Sequence, residues 1–266
     1  MSAGAALSRV TALALGFAFL YAPIVILAIM SFNASRLVTV WGGFSTKWYL
    51  ALLNDAALLG AAKISLEAAA LSASIATLLG LCAAVALARF GAFQTRSLFF
   101  GAVHAPLVLP EVVLGLALLS AFVAFGMDRG FLTLVIAHAT FTMCFATVVL
   151  LAALRSCDPA QEEAAMDLGA TPTQAFALVV LPTIAPSLAS AFLLAFTLSL
   201  DDLVIASFAT GPGATTLPMR IYSQVRLGVT PEINAISTLL LGFVGLILAL
   251  TALAGRKPTN LEQGAA

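Results

Sequence analysis

The sequence predicts an all-α protein built of six membrane-spanning helices, and two observations carry that prediction. Hydrophobic residues make up 62% of the 266 residues and charged residues only 9%, with a mean hydropathy of +1.09. A soluble domain of this length could not bury so much apolar surface. The apolar residues also fall into six runs, each near the roughly 20 residues that a bilayer core requires. The single domain covers 1–266, and its predicted spans are 10–31, 62–88, 98–125, 131–154, 184–208 and 233–254.

The composition also argues against several functional classes. A formal net charge of zero does not favour nucleic acid as a partner. Cys82, Cys144 and Cys157 lack metal-ligand spacing and are interpreted as small packing residues. His104 and His138 lie in or beside apolar runs, where an interhelical hydrogen bond is the expected role. The chain therefore offers no nucleophile–base pair or metal constellation, and an enzyme is not predicted.

The first two spans have readable features of their own. The apolar run from Val10 to Met30 is too long for a signal-peptide core and lacks a small-residue cleavage site, so it is interpreted as an uncleaved span. The second span has Gly80, Ala84 and Ala88 at four-residue spacing. Small residues at this spacing let two helix backbones approach closely, which predicts a helix contact there.

The loop between the fourth and fifth spans, residues 155–183, carries a helix–turn–helix pattern. Its segment 163–165 reads Glu-Ala-Ala, which favours a helix and leaves a smooth face for another protein. Gly169 can end that helix, because glycine adopts positive φ without a Cβ penalty. Pro182 can then lie at the start of a further helical segment. The sequence predicts a short helix, a turn and a second short helix at the membrane surface.

This loop resembles the EAA loop of ABC-importer permeases, whose pattern is Glu-Ala-Ala, a later glycine, and a hydrophobic residue followed by a spacer, leucine and proline. Every defining position is met, with Val179 where the family more often has isoleucine. The resemblance implies the type I ABC importer permease fold and a loop that docks into a groove on a separate ATPase. The residues that it assigns to ATPase coupling are Glu163, Ala164, Ala165, Asp167, Gly169, Ala170, Leu181 and Pro182.

Carboxylates within the predicted spans require an explanation, because each costs on the order of 2.5–3.5 kcal/mol on insertion scales. Glu67 lies one helical turn after Lys63, which predicts an i,i+4 ion pair. Glu111 has no basic residue within helical reach, and Pro106 and Pro110 free nearby backbone carbonyls. A carboxylate beside unpaired carbonyls would attract a cation.

Asp201 and Asp202 form a second acidic position, in the fifth predicted span. Adjacent residues on a helix point about 100° apart, so at most one of the two is expected to face a pathway. The other would cap a helix or pair with an arginine. For these two residues and for Glu111, a pathway role and a structural pairing both stay open.

Further segments resemble the polyamine-importer permeases, and most of all their putrescine branch. These segments are 31–33, 37–41, 48–49, 110–111, 195–219 and 231–235. One departure is Glu111, where relatives often carry aspartate. A diamine needs carboxylates for its ammonium groups and aromatic faces, which attract ammonium by roughly 0.5–2 kcal/mol. The substrate-pathway residues that the resemblance implies are Glu111, Asp201, Asp202, Ser199, Trp41 and Trp48.

The resemblance also implies the partners of the chain in a bacterial inner membrane. These are a second homologous permease, two copies of an ATP-binding subunit, a periplasmic polyamine-binding protein and membrane lipid. No Gly-Lys-Ser/Thr triplet of a Walker A motif occurs here, so ATP and magnesium belong to the ATPase and this chain binds no cofactor. The alternative is a secondary transporter or channel for a small cation, for which a repeat of broken helices is expected and not visible.

The orientation of the chain rests on the resemblance. An even number of spans places both termini on one side, but the 12 basic residues then divide equally between the two sides. The positive-inside rule therefore does not choose an orientation. The EAA loop has to be cytoplasmic to meet an ATPase, which predicts that both termini are cytoplasmic as well.

Overall fold

The computed structural model of the protein describes residues 3–37, 40–228 and 230–254. This part of the chain is helical, with an isolated antiparallel bridge between Asn33 and Phe44. Val38 and Thr39, in the segment 37–41, lie outside the described residues. The described helices are α1 (Ala3–Met30), α2 (Lys47–Asn54), α3 (Ala56–Arg89), α4 (Arg96–Val108), α5 (Glu111–Ala124), α6 (Phe131–Ser156), α7 (Pro159–Asp167), α8 (Pro172–Ala175), α9 (Leu181–Thr183), α10 (Ala185–Asp201), α11 (Val204–Ala209), α12 (Leu217–Leu227) and α13 (Pro231–Ala254).

Among the described residues, three helices are each long and apolar enough to cross a membrane: α1 from Arg9 onward, α3 and α6. Two bent helix pairs raise the number to five if each pair is one span. Among its described residues, α13 contributes a further apolar stretch, Pro231–Leu246. The all-α class and the membrane character that the composition predicts are confirmed.

The third predicted span, 98–125, consists of two helices rather than one. The helix direction bends by 118° between α4 and α5, at Leu109 and Pro110. Leu109 has an extended backbone with ψ 136°, as expected for a residue before proline, and Pro110 has no N–H with which to continue the helix. Glu111 is consequently the first residue of α5 rather than a residue in the middle of a span.

The described chain divides into two compact units, of which one comprises the described residues up to Leu59 and from Ile221 onward. In this unit α13 packs against both α1 and α2. The loop between α1 and α2 is folded around the buried side chain of Asn33, whose amide nitrogen donates to the carbonyls of Leu37 and Val40. The Oδ1 atom of Asn33 accepts from the backbone amides of Ser35 and Gly42.

The other unit, Gly60–Arg220, has α6 at its centre. α6 packs against α4, α5, α10 and α11, and most of its side chains are buried. The predicted small-residue face of α3 is confirmed. An added Cβ on Gly80 would lie 2.9 Å from the Cβ of Ala146 and 3.0 Å from the amide nitrogen of Thr147, and Ala84 is fully buried.

The segment after α11 is held to this second unit by long-range contacts. The hydroxyl of Thr133 donates to the carbonyl of Ala209 at 2.8 Å, and the amide of Leu217 donates to the hydroxyl of Ser65 at 2.7 Å. Gly211 lies directly against the backbone of Arg129, where an added Cβ would be 2.0 Å from the carbonyl oxygen. These contacts fix the position of the segment after α11 relative to α3 and to the start of α6.

Candidate functional site

The EAA loop begins with a helix that its own sequence caps. Asp158 is the N-cap of α7, and its Oδ1 atom accepts from the amide of Ala160 at 3.0 Å. Pro159 occupies the first helical position, where its missing N–H costs nothing. The segment 163–165 follows within α7, which confirms the short helix predicted from sequence.

The turn after α7 has the hydrogen bonds of a Schellman motif. The amide of Ala170 donates to the carbonyl of Ala165 at 3.1 Å, and the amide of Gly169 donates to the carbonyl of Met166 at 2.9 Å. Gly169 has φ of 95°, a conformation in which a Cβ is strained. The predicted role of Gly169 as the residue that ends this helix is confirmed.

The second helix of the loop begins at Thr171 and contains a wider turn. Thr171 and Gln174 form a capping box, with Pro172 at the first helical position. Residues Phe176–Val180 then form a π-helical turn, which ends at Leu181 and Pro182. The helical stretch Pro172–Thr183 is bent by 69° from α10. π-Helical turns such as Phe176–Val180 frequently occur at functional positions in helices.

The EAA loop has an anchored side and an exposed side. Within the loop Ala175 and Val180 are buried, and so is Ile184 directly after it. On α7, the carboxylate of Glu162 forms an ion pair with Arg89 at the end of α3, at 2.9 Å. The residues of α7 and its turn that are exposed include Glu163, Ala164, Met166, Asp167 and Leu168, the last of these 91% exposed.

The predicted acids divide into two that are exposed and one that is buried. Glu111 at the start of α5 and Asp201 at the end of α10 are both exposed, and their carboxylates are near enough to repel each other. α5 and α11 pack together, with Gly115 against the ring of Phe208, where an added Cβ would lie 2.5 Å from the ring. Glu111 begins α5 and Asp201 precedes α11, so both acids belong to this pair of packed helices.

Asp202 is buried and caps α11. Its two carboxylate oxygens accept from the amides of Ile205, at 3.3 Å, and Ala206, at 2.7 Å. The Nε2 atom of His138 lies 3.1 Å from Oδ2 of Asp202, at an angle outside hydrogen-bond geometry. Two adjacent aspartates predict a helix cap as one possible role for one of them, and the structure gives that role to Asp202.

Ser199, His138 and Ser72 complete a buried polar network with Asp202. The Nδ1 atom of His138 lies 2.7 Å from the hydroxyl of Ser199, which lies 2.9 Å from the hydroxyl of Ser72. All four side chains are buried and they come from α3, α6, α10 and the start of α11. Serine, histidine and aspartate also occur in hydrolases, but the hydroxyl of Ser199 is bound on both sides within the bundle. The arrangement fixes helices rather than activating a nucleophile.

The two predicted tryptophans belong to the first unit and differ in exposure. Trp48 is 8% exposed and donates its indole N–H to the carbonyl of Asn33 at 2.7 Å, with the ammonium of Lys47 4.6 Å from its ring centroid. Trp41 is 48% exposed. Trp48 therefore holds the loop between α1 and α2, and Trp41 presents a free aromatic surface.

Sequence reasoning identified the acids but missed most of the residues that surround them. His138 was assigned an interhelical hydrogen bond, which its contact with Ser199 confirms, while His104 instead bonds the carbonyl of Phe100 within its own helix. The predicted pair of Lys63 and Glu67 is confirmed, at 3.8 Å and largely exposed. Nothing in the local sequence connects Ser72 or Arg89 with their distant partners.

Comparison with known proteins assigns the chain to a class. Residues 76–256 match the family of binding-protein-dependent transport system inner membrane components. The chain belongs to this family and is a transmembrane permease subunit of an ABC importer. The polytopic helical fold and the EAA loop agree with this membership, which removes the alternative of a secondary transporter or channel.

Individual relatives place the chain more narrowly. It is 54% identical over 245 residues to the putrescine transport system permease protein PotI of Escherichia coli K12, with 90% of this chain and 87% of the relative covered. It is 40% identical over 248 residues to the spermidine/putrescine transport system permease protein PotC of the same organism, with 93% and 94% covered. The predicted polyamine-permease family is thereby confirmed.

Solved structures support the fold. A bacterial ABC transporter involved in the import of the acidic polysaccharide alginate has a chain that matches with a TM-score of 0.71 and 18% identity, over 96% of both chains. The alginate transporter in complex with a pentasaccharide-bound periplasmic protein matches with a TM-score of 0.66 and 18% identity, over 93% of this chain and 91% of that one. At this identity the likeness concerns the fold alone, which is that of the type I importer permeases.

Proposed function

We propose that this permease carries a polyamine, and putrescine in particular, from the periplasm to the cytoplasm. The 54% identity to a putrescine permease over most of both chains is the observation that carries this proposal. The exposed acids at the end of α10 and the start of α5 fit a cationic cargo, because a desolvating ammonium group needs a carboxylate partner. A negative cell interior adds about 2.3 kcal/mol per charge per 100 mV in favour of entry.

The pathway in this proposal has contacting residues and supporting residues. Glu111 and Asp201 are exposed carboxylates whose mutual repulsion a bound ammonium group would relieve. Ser199 and Asp202 are the supporting residues, and both belong to the buried polar network. Trp41 offers an exposed ring for cation–π contact with the arriving amine, and Trp48 holds the loop that carries it.

The EAA loop is proposed to couple the permease to ATP hydrolysis in a separate subunit. Its exposed side presents Glu163, Ala164 and Asp167, and Gly169 with Ala170 forms the turn. Leu181 and Pro182 connect this docking element to α10. ATP and magnesium would bind to the partner ATPase, present in two copies beside a second homologous permease and a periplasmic polyamine-binding protein.

The orientation in the inner membrane follows from the same proposal, with the EAA loop and both termini in the cytoplasm. A cysteine replacing the exposed Leu168 should then react with an impermeant thiol reagent only from the cytoplasmic side. A cysteine replacing the exposed Phe44, in the loop before α2, should react only from outside. The reverse pattern would invert the topology and remove the docking role of the loop.

The cargo is tested by uptake of labelled putrescine and spermidine in a strain that lacks other polyamine importers and carries the complete operon. Putrescine uptake should be saturable and should be competed by unlabelled putrescine better than by spermidine. Preference for spermidine would refute the putrescine assignment, and absence of polyamine uptake would refute the polyamine class.

The pathway is tested in the same strain with Glu111→Gln and Asp201→Asn. Each should lower uptake by about tenfold or more, since about 1.4 kcal/mol of lost attraction corresponds to a factor of ten. Expression should stay normal, because neither carboxylate forms an ion pair among the described residues, so neither change leaves a cation unpaired. Glu67→Gln is the matched control, since this exposed acid pairs only with Lys63 on its own helix. Normal uptake in both pathway variants would refute their assignment.

A further inference from the structure

Two adjacent aspartates at the end of α10 have opposite environments. Asp201 is the last residue of α10 and is exposed, whereas Asp202 is buried and begins the turn into α11. The backbone of Asp202 is extended, with φ −65° and ψ 126°, so the helix ends after Asp201. The point at which α10 ends therefore determines where the Asp201 carboxylate lies.

That end is held by the polar network, beside the buried apolar side chains of Leu200 and Ile205. Asp202 holds the first amides of α11 through both carboxylate oxygens, and His138 of α6 lies 3.1 Å from one of them. One turn before the break, Ser199 of α10 contacts His138 at 2.7 Å and Ser72 of α3 at 2.9 Å. The last turn of α10 is thus attached on both sides of Asp201 to helices that are distant in sequence.

The chemistry of these contacts separates Asp202 from a cargo site. A buried carboxylate is stable only if its oxygens are hydrogen-bonded or paired, and Asp202 has two amide donors and a histidine ring. An ammonium group would have to displace those partners to reach it. Asp201 has no such set of partners among the described contacts and is open on its outer side.

We propose that Ser199, His138 and Asp202 are positioning residues that fix the break between α10 and α11 and so hold the Asp201 carboxylate where the cargo passes. The assignment rests on the proposed pathway, and it gives the adjacent acids different roles: Asp201 contacts the ammonium group, and Asp202 contacts only the protein. Ser72 supports the same turn from α3 through its bond to Ser199.

Asparagine and alanine substitutions at the two positions give a crossed test. Asparagine caps a helix about as well as aspartate, and its side-chain oxygen can keep the shorter bond, from the amide of Ala206. Asp202→Asn therefore keeps the turn, whereas Asp202→Ala removes the cap. Uptake should fall less than about threefold in Asp202→Asn and about tenfold or more in Asp202→Ala. At position 201 the charge itself is needed, so Asp201→Asn and Asp201→Ala should lose uptake to the same large extent. Loss in Asp202→Asn equal to that in Asp201→Asn would overturn the positioning role.

A second measurement does not depend on transport. Asp201→Cys is introduced into the full transporter after the three natural cysteines, Cys82, Cys144 and Cys157, are replaced by alanine. The rate at which a small cationic thiol reagent modifies the new cysteine reports its position. Adding Ser199→Ala should change that rate by about threefold or more, with the transporter still assembled and stable.

Ser190→Ala is the matched control, because Ser190 is exposed on the same helix and its described hydrogen bond is to the carbonyl of Pro186, one turn earlier. It should leave the labelling rate unchanged. An equal rate with Ser199→Ala and Ser190→Ala would overturn the positioning role, whatever the uptake results. If Asp201→Asn retains normal uptake while Ser199→Ala shifts the labelling rate, the proposed pathway fails and the structural positioning of Asp201 stands.

Discussion

The EAA loop and the break between α10 and α11 lie in the same compact unit but are built by different kinds of contact. The loop is organised mainly by neighbours in sequence: Asp158 caps α7, Thr171 and Gln174 cap α8, and a glycine turn joins them. The break is organised by two hydrogen bonds, whose partners are separated in sequence by 61 positions in one case and 127 in the other. A surface element can be specified locally, whereas a polar site inside a helix bundle needs partners from several helices.

The largest expected effect is on stability, at the segment that follows the break. Gly211→Ala would place a Cβ 2.0 Å from the carbonyl oxygen of Arg129, which cannot yield without backbone movement. Forced overpacking typically costs roughly 1–3 kcal/mol or more. The melting temperature of the purified protein in detergent should fall markedly. Gly101→Ala is the control, with no atom within 4 Å of an added Cβ, and should not destabilise.

A transport defect without a folding defect is expected at the turn of the EAA loop. Gly169→Asp adds a charge to a position with φ 95° on the exposed side of the loop, so ATPase docking and uptake should collapse while membrane insertion is retained. Gly169→Asn has nearly the same shape and tolerates a left-handed conformation, so it should keep a substantial part of the uptake. Full transport by Gly169→Asp, or an unaltered interaction with the ATPase, would refute the docking role.

The ion pair between Arg89 and Glu162 is one long-range contact of the EAA loop, beside the apolar packing of Val180, and it tests how local that element is. Glu162→Arg should weaken the attachment of α7 to α3 and lower uptake moderately, because two cations would then face each other across 2.9 Å. The exchanged pair, Arg89→Glu with Glu162→Arg, should restore part of the loss. Uptake is measured for Glu162→Arg, for Arg89→Glu and for the exchanged pair. If neither single change has an effect, the ion pair does not hold the loop, and its local caps with the apolar packing of Val180 suffice.

The smallest effect is expected from the cap of α8. Thr171→Ala removes the side-chain acceptor of the Gln174 amide, which typically costs about 1 kcal/mol of local helix stability. Thr171→Ser keeps the hydroxyl and is the control. Amide hydrogen exchange should become faster within α8 in the alanine variant, with little change at α10. Faster exchange throughout α10 would mean that the two regions are coupled more strongly than their contacts indicate.

Much of the EAA loop was predictable because its determinants lie within a few residues of one another. Gly169 as the end of α7 and the helix–turn–helix order were read from propensity and caps, and the structure has both. The sharp bend at Pro110 was less accessible. The prolines were visible, but the 118° angle between α4 and α5 depends on what each helix packs against.

Hydropathy, helix propensity and capping act over a turn or a span of the chain, so the membrane class, the helical content and the EAA motif could be read from the residues alone. Which of two adjacent aspartates is buried, the position of His138 between Ser199 and Asp202, and the pairing of Arg89 with Glu162 depend instead on how the helices pack. Identical side chains have identical local preferences, so Asp201 and Asp202 differ only through the helices around them. A buried carboxylate is placed where donors from distant segments converge, and that convergence exists only once the bundle has formed.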